Sequence, residues 1–174
     1  MIAKKMEKAL NDHLYEEFYS FYLYLGMSEY LNSEGLPGMA HWMKNQAQEE
    51  YFHAIKFMNY ISEKGGKVVL KAIPAPPSSW KEPKVIFEEA LAHEEHITAC
   101  INKLVDLANS LKEHSTVNFL NWFVGEQVEE EASAREVVDM FKQTGKAPGG
   151  LFLINRELAL RPIALNPLEP VPAA

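Results

Sequence analysis

The chain has 174 residues, of which 47% are hydrophobic and 24% charged, and 24 acidic against 17 basic side chains give a formal charge of -7. That length suffices for one domain with a sizeable core. No apolar run is long enough to cross a bilayer, and the acidic balance argues against nucleic acid as a partner. A single cysteine, Cys100, excludes an internal disulfide framework and a cysteine-based zinc or iron–sulfur site within one chain. The N-terminal lysines are followed by no apolar secretion segment, so a cytoplasmic location is expected.

Residues 3–32 contain no Gly or Pro except Gly26, and Leu10, Leu14, Glu17, Phe21, Tyr24 and Leu31 keep to one side at helical spacing, which predicts a long first helix. Ser33 to Gly38 holds the Gly and Pro that end it. A second helix is expected over 39–64, with Met39, Met43, Gln46, Glu50, His53, Phe57, Tyr60 and Ile61 on its stripe and Gly65-Gly66 as its stop. Residues 67–82 carry Pro74, Pro76 and Pro77 and cannot be helical. The third helix, 83–111, opens on Pro83, which suits a first turn, and aligns Phe87, Leu91, Glu94, Ile97, Ile101, Leu104 and Ala108. Ser115 reads as the N-cap of a fourth helix over 116–144, whose stripe holds Leu120, Phe123, Gln127, Glu130, Ala134, Val137 and Phe141. Gly and Pro then interrupt the chain before a short fifth helix over 151–160. The tail, 161–174, has four prolines and is expected to be extended and mobile.

The short first and third links make those helix pairs antiparallel neighbours. The middle link is different. A helix of about 26 residues spans roughly 39 Å, and 16 extended residues reach roughly 50 Å. The link can therefore run the length of the bundle and leave the second and third helices parallel.

Each of the four stripes carries an acid near its middle: Glu17, Glu50, Glu94 and Glu130. His53 lies three residues after Glu50, on the same helix face. A carboxylate in an apolar stripe is costly to bury unless something neutralises it, and four converging acids would raise one another's pKa. Bound cations remove that conflict. Carboxylate oxygens with one imidazole suit iron, manganese or zinc, and several bridging acids favour two ions about 3.5–4 Å apart. A lone stripe acid is ordinarily a partly exposed residue, but one on each of four successive helices, with a histidine one turn on, points to metal.

The ordered set of Glu17, Glu49-Glu50-x-x-His53, Glu94 and then Trp122 with Glu126-Gln127-x-x-Glu130 resembles the non-haem prokaryotic ferritins, members of the ferritin-like di-iron carboxylate family, over about residues 1–160. The resemblance implies an all-α, ferritin-like four-helix bundle with one long crossover and a short fifth C-terminal helix. It also implies that Glu17, Glu50 and His53 bind one iron, that Glu50, Glu94 and Glu130 bind the second with Glu50 bridging, and that Gln127 steadies the site by hydrogen bonding. A third iron position would fall on Glu49, Glu126, Glu129 and Glu130. Tyr24 matches a family tyrosine that gives the centre an electron or a hydrogen bond, although on its stripe position it reads equally as core, as does Trp122.

The sequence departs from the symmetrical di-iron pattern at Ser133, where a second Glu-x-x-His would place a histidine. Tyr51 stands where a bacterioferritin would carry its haem methionine, so no haem is expected. No Cys-x-x-Cys for a rubredoxin module is present either. His13, His41, His93, His96 and His114 read as surface or packing residues. By resemblance the activity is that of a ferroxidase. Fe(II) is oxidised by dioxygen or hydrogen peroxide and stored as ferric oxyhydroxide inside a homo-oligomeric shell of 24 subunits, with the fifth helices gathered at four-fold axes. The other readings are a small di-metal oxidase or peroxide-detoxifying protein that forms no mineral, and a purely structural bundle.

Overall fold

The computed structural model describes residues 2–144 and 147–164, and these contain five helices and no strand: α1 (Lys4–Ser33), α2 (Pro37–Glu63), α3 (Pro83–Ser110), α4 (His114–Thr144) and α5 (Gly150–Leu158). The first four form the all-α bundle expected from the four stripes.

The order of core residues along each helix reveals the topology. The core is split in two. One cluster gathers Tyr24, Met27, Met39, Met43, Phe87 and Val137; the other gathers Leu10, Leu14, Phe57, Ile101, Leu120 and Phe123. Along α1 and α4 the chain passes from the second cluster to the first, and along α2 and α3 from the first to the second. Helices α2 and α3 are therefore parallel, and each is antiparallel to α1 and α4. Between the clusters each of α1 to α4 contributes buried polar groups: Glu17 and Ser20, Glu50 and His53, Glu94, and Gln127 and Glu130. A polar layer thus crosses an otherwise apolar bundle at mid-height.

The crossover that makes α2 and α3 parallel lies along α1. Asn11 Nδ2 donates to the Lys67 carbonyl at 3.0 Å, and Asn11 Oδ1 accepts from the Val69 amide at 2.7 Å. Lys71 pairs with Asp12 at 2.6 Å, and the Tyr30 hydroxyl donates to the Trp80 carbonyl at 2.7 Å. Gly26, inside α1, is where Pro76 rests: a Cβ there would come within 2.9 Å of the proline ring. The one glycine of the first stretch thus marks where two segments touch.

Two helix starts differ from expectation. Helix α4 begins at His114 rather than after Ser115, because Lys112 adopts a φ of 57° and the Glu113 carbonyl accepts the amides of Thr116 and Val117. Ser115 is not the cap; its hydroxyl accepts a hydrogen bond from Lys64 at 2.7 Å. Helix α2 begins at Pro37 and has no cap from its own chain neighbours. Its first free amides, Gly38 and Met39, instead donate to Asn155 Oδ1 of α5 at 2.9 and 3.1 Å. Such amides need an oxygen acceptor, and Gly38 leaves room for this one: a Cβ would sit 1.7 Å from the Asn155 carbonyl oxygen.

Residues 161–164, expected to begin a mobile tail, are instead held against α2. The Arg161 carbonyl is 2.8 Å from His41 Nε2, its guanidinium lies 4.5 Å over the Trp42 ring, and the Ala164 amide donates to Asn45 Oδ1 at 3.2 Å. The row His41, Asn45, Glu49 rises at four-residue steps on α2 and offers a polar track that periodicity in the tail could not reveal. The remainder of the expected tail, 165–174, lies outside the described residues.

Candidate metal centre

The mid-height layer places four carboxylates in the interior. Glu17, Glu50, Glu94 and Glu130 are only 0, 1, 1 and 5% exposed. His53 turns its Nδ1 toward two of them, 3.7 Å from Glu17 Oε2 and 3.5 Å from Glu50 Oε2. One donor atom from each of Glu17, Glu50 and His53 lies within 4.8 Å of the other two. Both Glu50 oxygens and Glu17 Oε2 are buried without a hydrogen-bond partner among the described residues. An unpaired buried carboxylate is costly. Hard oxygen donors and an imidazole left bare at this spacing fit a cation that would take their free lone pairs.

The other acids are held differently. Glu94 Oε1 accepts from the Tyr24 hydroxyl at 2.5 Å, and Glu94 Oε2 from Gln127 Nε2 at 3.2 Å. Glu130 Oε2 accepts from Gln46 Nε2 at 2.7 Å. A second donor group is made by His53, Glu126 and Glu130. Of the residues assigned by resemblance to a third position, Glu126 and Glu49 are half-buried and Glu129 is exposed; Glu126 and Glu130 share a donor group, and Glu49 and Glu129 belong to neither. Glu49 Oε2 is paired with Arg161 Nη2 at 2.6 Å. Trp122 meets His53 edge-on with centroids 5.5 Å apart and carries the Lys56 ammonium 3.3 Å over its face, so it is a wall of the site.

The electrostatics follow from this crowding. Burial and the Glu130 charge push Glu94 up to about 8, against the hydrogen bonds from Tyr24 and Gln127. Burial, and then the Glu94 charge, raise Glu50 well above the usual carboxylate range. Burial and the Glu130 charge lift Glu49 to about 7, opposed by Arg161. Glu17 moves the other way. Burial raises it, but the hydrogen bond from His13 and the nearness of the His13 and His53 imidazoles outweigh that and hold it below the usual range. Burial alone would lower His53, yet Glu17 and Glu50 raise it well above the ordinary imidazole value. Burial and the proximity of Glu94 and Glu50 also raise Tyr24, which keeps its proton and donates it.

Three contributors were not foreseen. His13, expected to be a surface or packing residue, is 3% exposed and bonds Glu17 Oε1 at 2.8 Å. Its spacing, four residues before a stripe acid, was the available signal. Gln46 sits four residues before Glu50 on the same stripe, yet reaches Glu130, 84 residues away. Arg161 carried no signal at all. Of the other histidines, His93 is half-buried against Ser20 Oγ at 2.7 Å and burial lowers it to about 4, and His114 is exposed.

The family model described as "Ferritin-like domain" matches residues 7–144, a span that holds every acid of the polar layer. The chain belongs to the ferritin family. The bacterial non-heme ferritin of Bacteroides fragilis is 42% identical over 161 residues, covering 92% of this chain and 100% of its own. That of Staphylococcus saprophyticus is 37% identical over 161 residues, 92% and 96% of the two chains. A solved open-pore ferritin of Archaeoglobus fulgidus is 45% identical with a TM-score of 0.90, over 92% of this chain and 98% of that one. Its engineered closed form gives 44% and 0.91, over 94% and 100%. Against these ferritins the five-helix architecture, including the short α5, is a family feature. No described helix is long and apolar enough to cross a membrane.

Proposed function

We propose that this chain is the ferroxidase subunit of an iron-storing shell, working in the cytoplasm with Fe(II) as its substrate. The observation that carries this reading is the pair of inward carboxylates, Glu17 and Glu50, whose unpartnered oxygens face His53 in the middle of an apolar bundle. Glu17, Glu50 and His53 take one Fe(II); Glu50, Glu94 and Glu130 take the second, with Glu50 between them. The two Fe(II) ions give one electron each, and with two protons these reduce dioxygen to hydrogen peroxide, or hydrogen peroxide to two waters. Anionic oxygen donors favour the harder Fe(III) and so favour the loss of that electron. The crowding that raises Glu94 to about 8 and raises Glu50 in the same direction favours their protonated forms, so binding of iron to them is coupled to proton release. Tyr24 and Gln127 fix the two Glu94 oxygens, and Gln46 fixes one of Glu130, so these carboxylates need little rearrangement.

Glu49, Glu126, Glu129 and Glu130 form a weaker third position through which ferric iron leaves for the mineral. The Arg161 guanidinium at Glu49 suits a position that must not hold its cation tightly. Assembly into a homo-oligomer of 24 subunits draws support from the family and from the exposed Leu151, Phe152 and Leu153 of α5, apolar side chains that a lone chain leaves in water.

The test adds Fe(II) to apo protein without oxygen, then admits air and follows ferric absorbance and particle size. Wild type is expected to oxidise iron within seconds to minutes and to retain it in solution. His53→Ala and Glu130→Ala should slow oxidation by about 10-fold or more, since losing even a hydrogen-bond partner of a metal ligand costs about 10- to 100-fold. Variants as fast as wild type would refute the site. A small particle that oxidises iron but retains none would favour a di-metal oxidase or peroxide-detoxifying protein.

A further inference from the structure

We infer that His13 is a positioning residue for the first cation position: its imidazole grips one oxygen of Glu17 so that only the other reaches the cation. This rests on the reading of Glu17, Glu50 and His53 as that position.

His13 stands on α1 one turn before Glu17, with its Nε2 2.8 Å from Glu17 Oε1. The carboxylate accepts, so Nε2 carries the proton and donates. The ring is wedged against Phe57 of α2, with centroids 4.7 Å apart at 57°, so α2 sets its orientation. Its Nδ1 is buried with no hydrogen-bond partner among the described residues. The bond to Glu17 is therefore the ring's one polar anchor there, and packing supplies the rest.

The consequence falls on Glu17 Oε2. That oxygen has no partner and lies 3.7 Å from His53 Nδ1, which lies 3.5 Å from Glu50 Oε2. The last torsion of a glutamate is broad, and a carboxylate free on both oxygens can turn to take a cation with both. The His13 bond removes that freedom. Glu17 is left as a one-oxygen donor, and a coordination place stays open for the oxidant, as catalytic metal sites require.

Co(II), which does not oxidise readily in such a site and whose visible absorption weakens as its coordination number rises, tests this. It is titrated anaerobically into apo wild type, H13Q and H13L, with thermal melts confirming folding. H13Q keeps an N–H donor at the same reach and should match wild type in Kd and spectrum. H13L fills the space beside Phe57 without a donor; its first Co(II) should bind about 10- to 100-fold more weakly and absorb less. Should H13L fail to fold, H13M, also without a donor, carries the same comparison. H13L indistinguishable from wild type overturns the inference while leaving the site intact. Equal loss in H13Q and H13L also overturns it, because ring shape rather than the donated bond would then matter. Wild type that binds no Co(II) overturns the metal-site reading itself.

Discussion

Glu50 shows most plainly what burying an unpartnered acid costs a fold. Its two oxygens have no partner among the described residues, although the side chain is 1% exposed. Replacing it with methionine, which has a similar shape and no polar oxygens, is expected to stabilise the apo protein by about 1–3 kcal/mol, the cost of an unsatisfied buried group, while abolishing the rise in Tm that saturating Zn(II) gives wild type; paired thermal melts with and without Zn(II) check both halves. Glu94 supports a pH prediction. Its folded pKa of about 8 lies above the ordinary 4.5, so the folded state binds the proton more tightly than the unfolded one. The stability this contributes is complete below about pH 4.5 and is lost as pH rises through about 8. Glu17, held below the ordinary range, has the opposite sign and weakens the fold only as pH falls. Apo wild type should therefore lose Tm between about pH 5 and about pH 8, and Glu94→Gln should flatten that slope, as melts across the range would show.

Helix α5 is attached by a cap rather than by a large core. Its Ile154 and Leu158 are buried, but its polar hold on the bundle is Asn155, which takes the first two free amides of α2. Asn155→Ala should cost about 1 kcal/mol and raise amide hydrogen exchange in α5 and at Gly38 and Met39 selectively. Gly38→Ala should cost more, because its Cβ would fall 1.7 Å from a backbone oxygen that cannot give way without moving α5. The segment after α5 lies against the same helix. Arg161 links it to Glu49 on α2, one residue before Glu50.

The bundle is two apolar halves clasping a polar layer, and loading that layer with cations is expected to stabilise the whole molecule. Assembly is a separate matter, resting on surfaces rather than on the layer. Phe152 and Leu153 are 62 and 60% exposed. Placing aspartate at both should leave helicity and Zn(II) binding unchanged but shift the particle to smaller species, which analytical ultracentrifugation would resolve. An unchanged particle would remove α5 from the assembly interface.

Helical periodicity is local, so it made the four long helices, their inward stripes and the central acids legible without coordinates. Leu14, Glu17 and Tyr24 share a face whatever lies across from them. The length of the proline-rich link likewise made parallel α2 and α3 legible, because the reach of an extended chain is fixed by its backbone. Partners are not local. Gln46 finds Glu130 across 84 residues and Asn155 finds Gly38 across 117, and nothing in the period of either helix names the other. Periodicity also says which face is buried without saying which oxygen of a carboxylate is held and which is left bare. Packing in three dimensions set that difference, giving one oxygen of Glu17 to His13 and leaving the other facing His53.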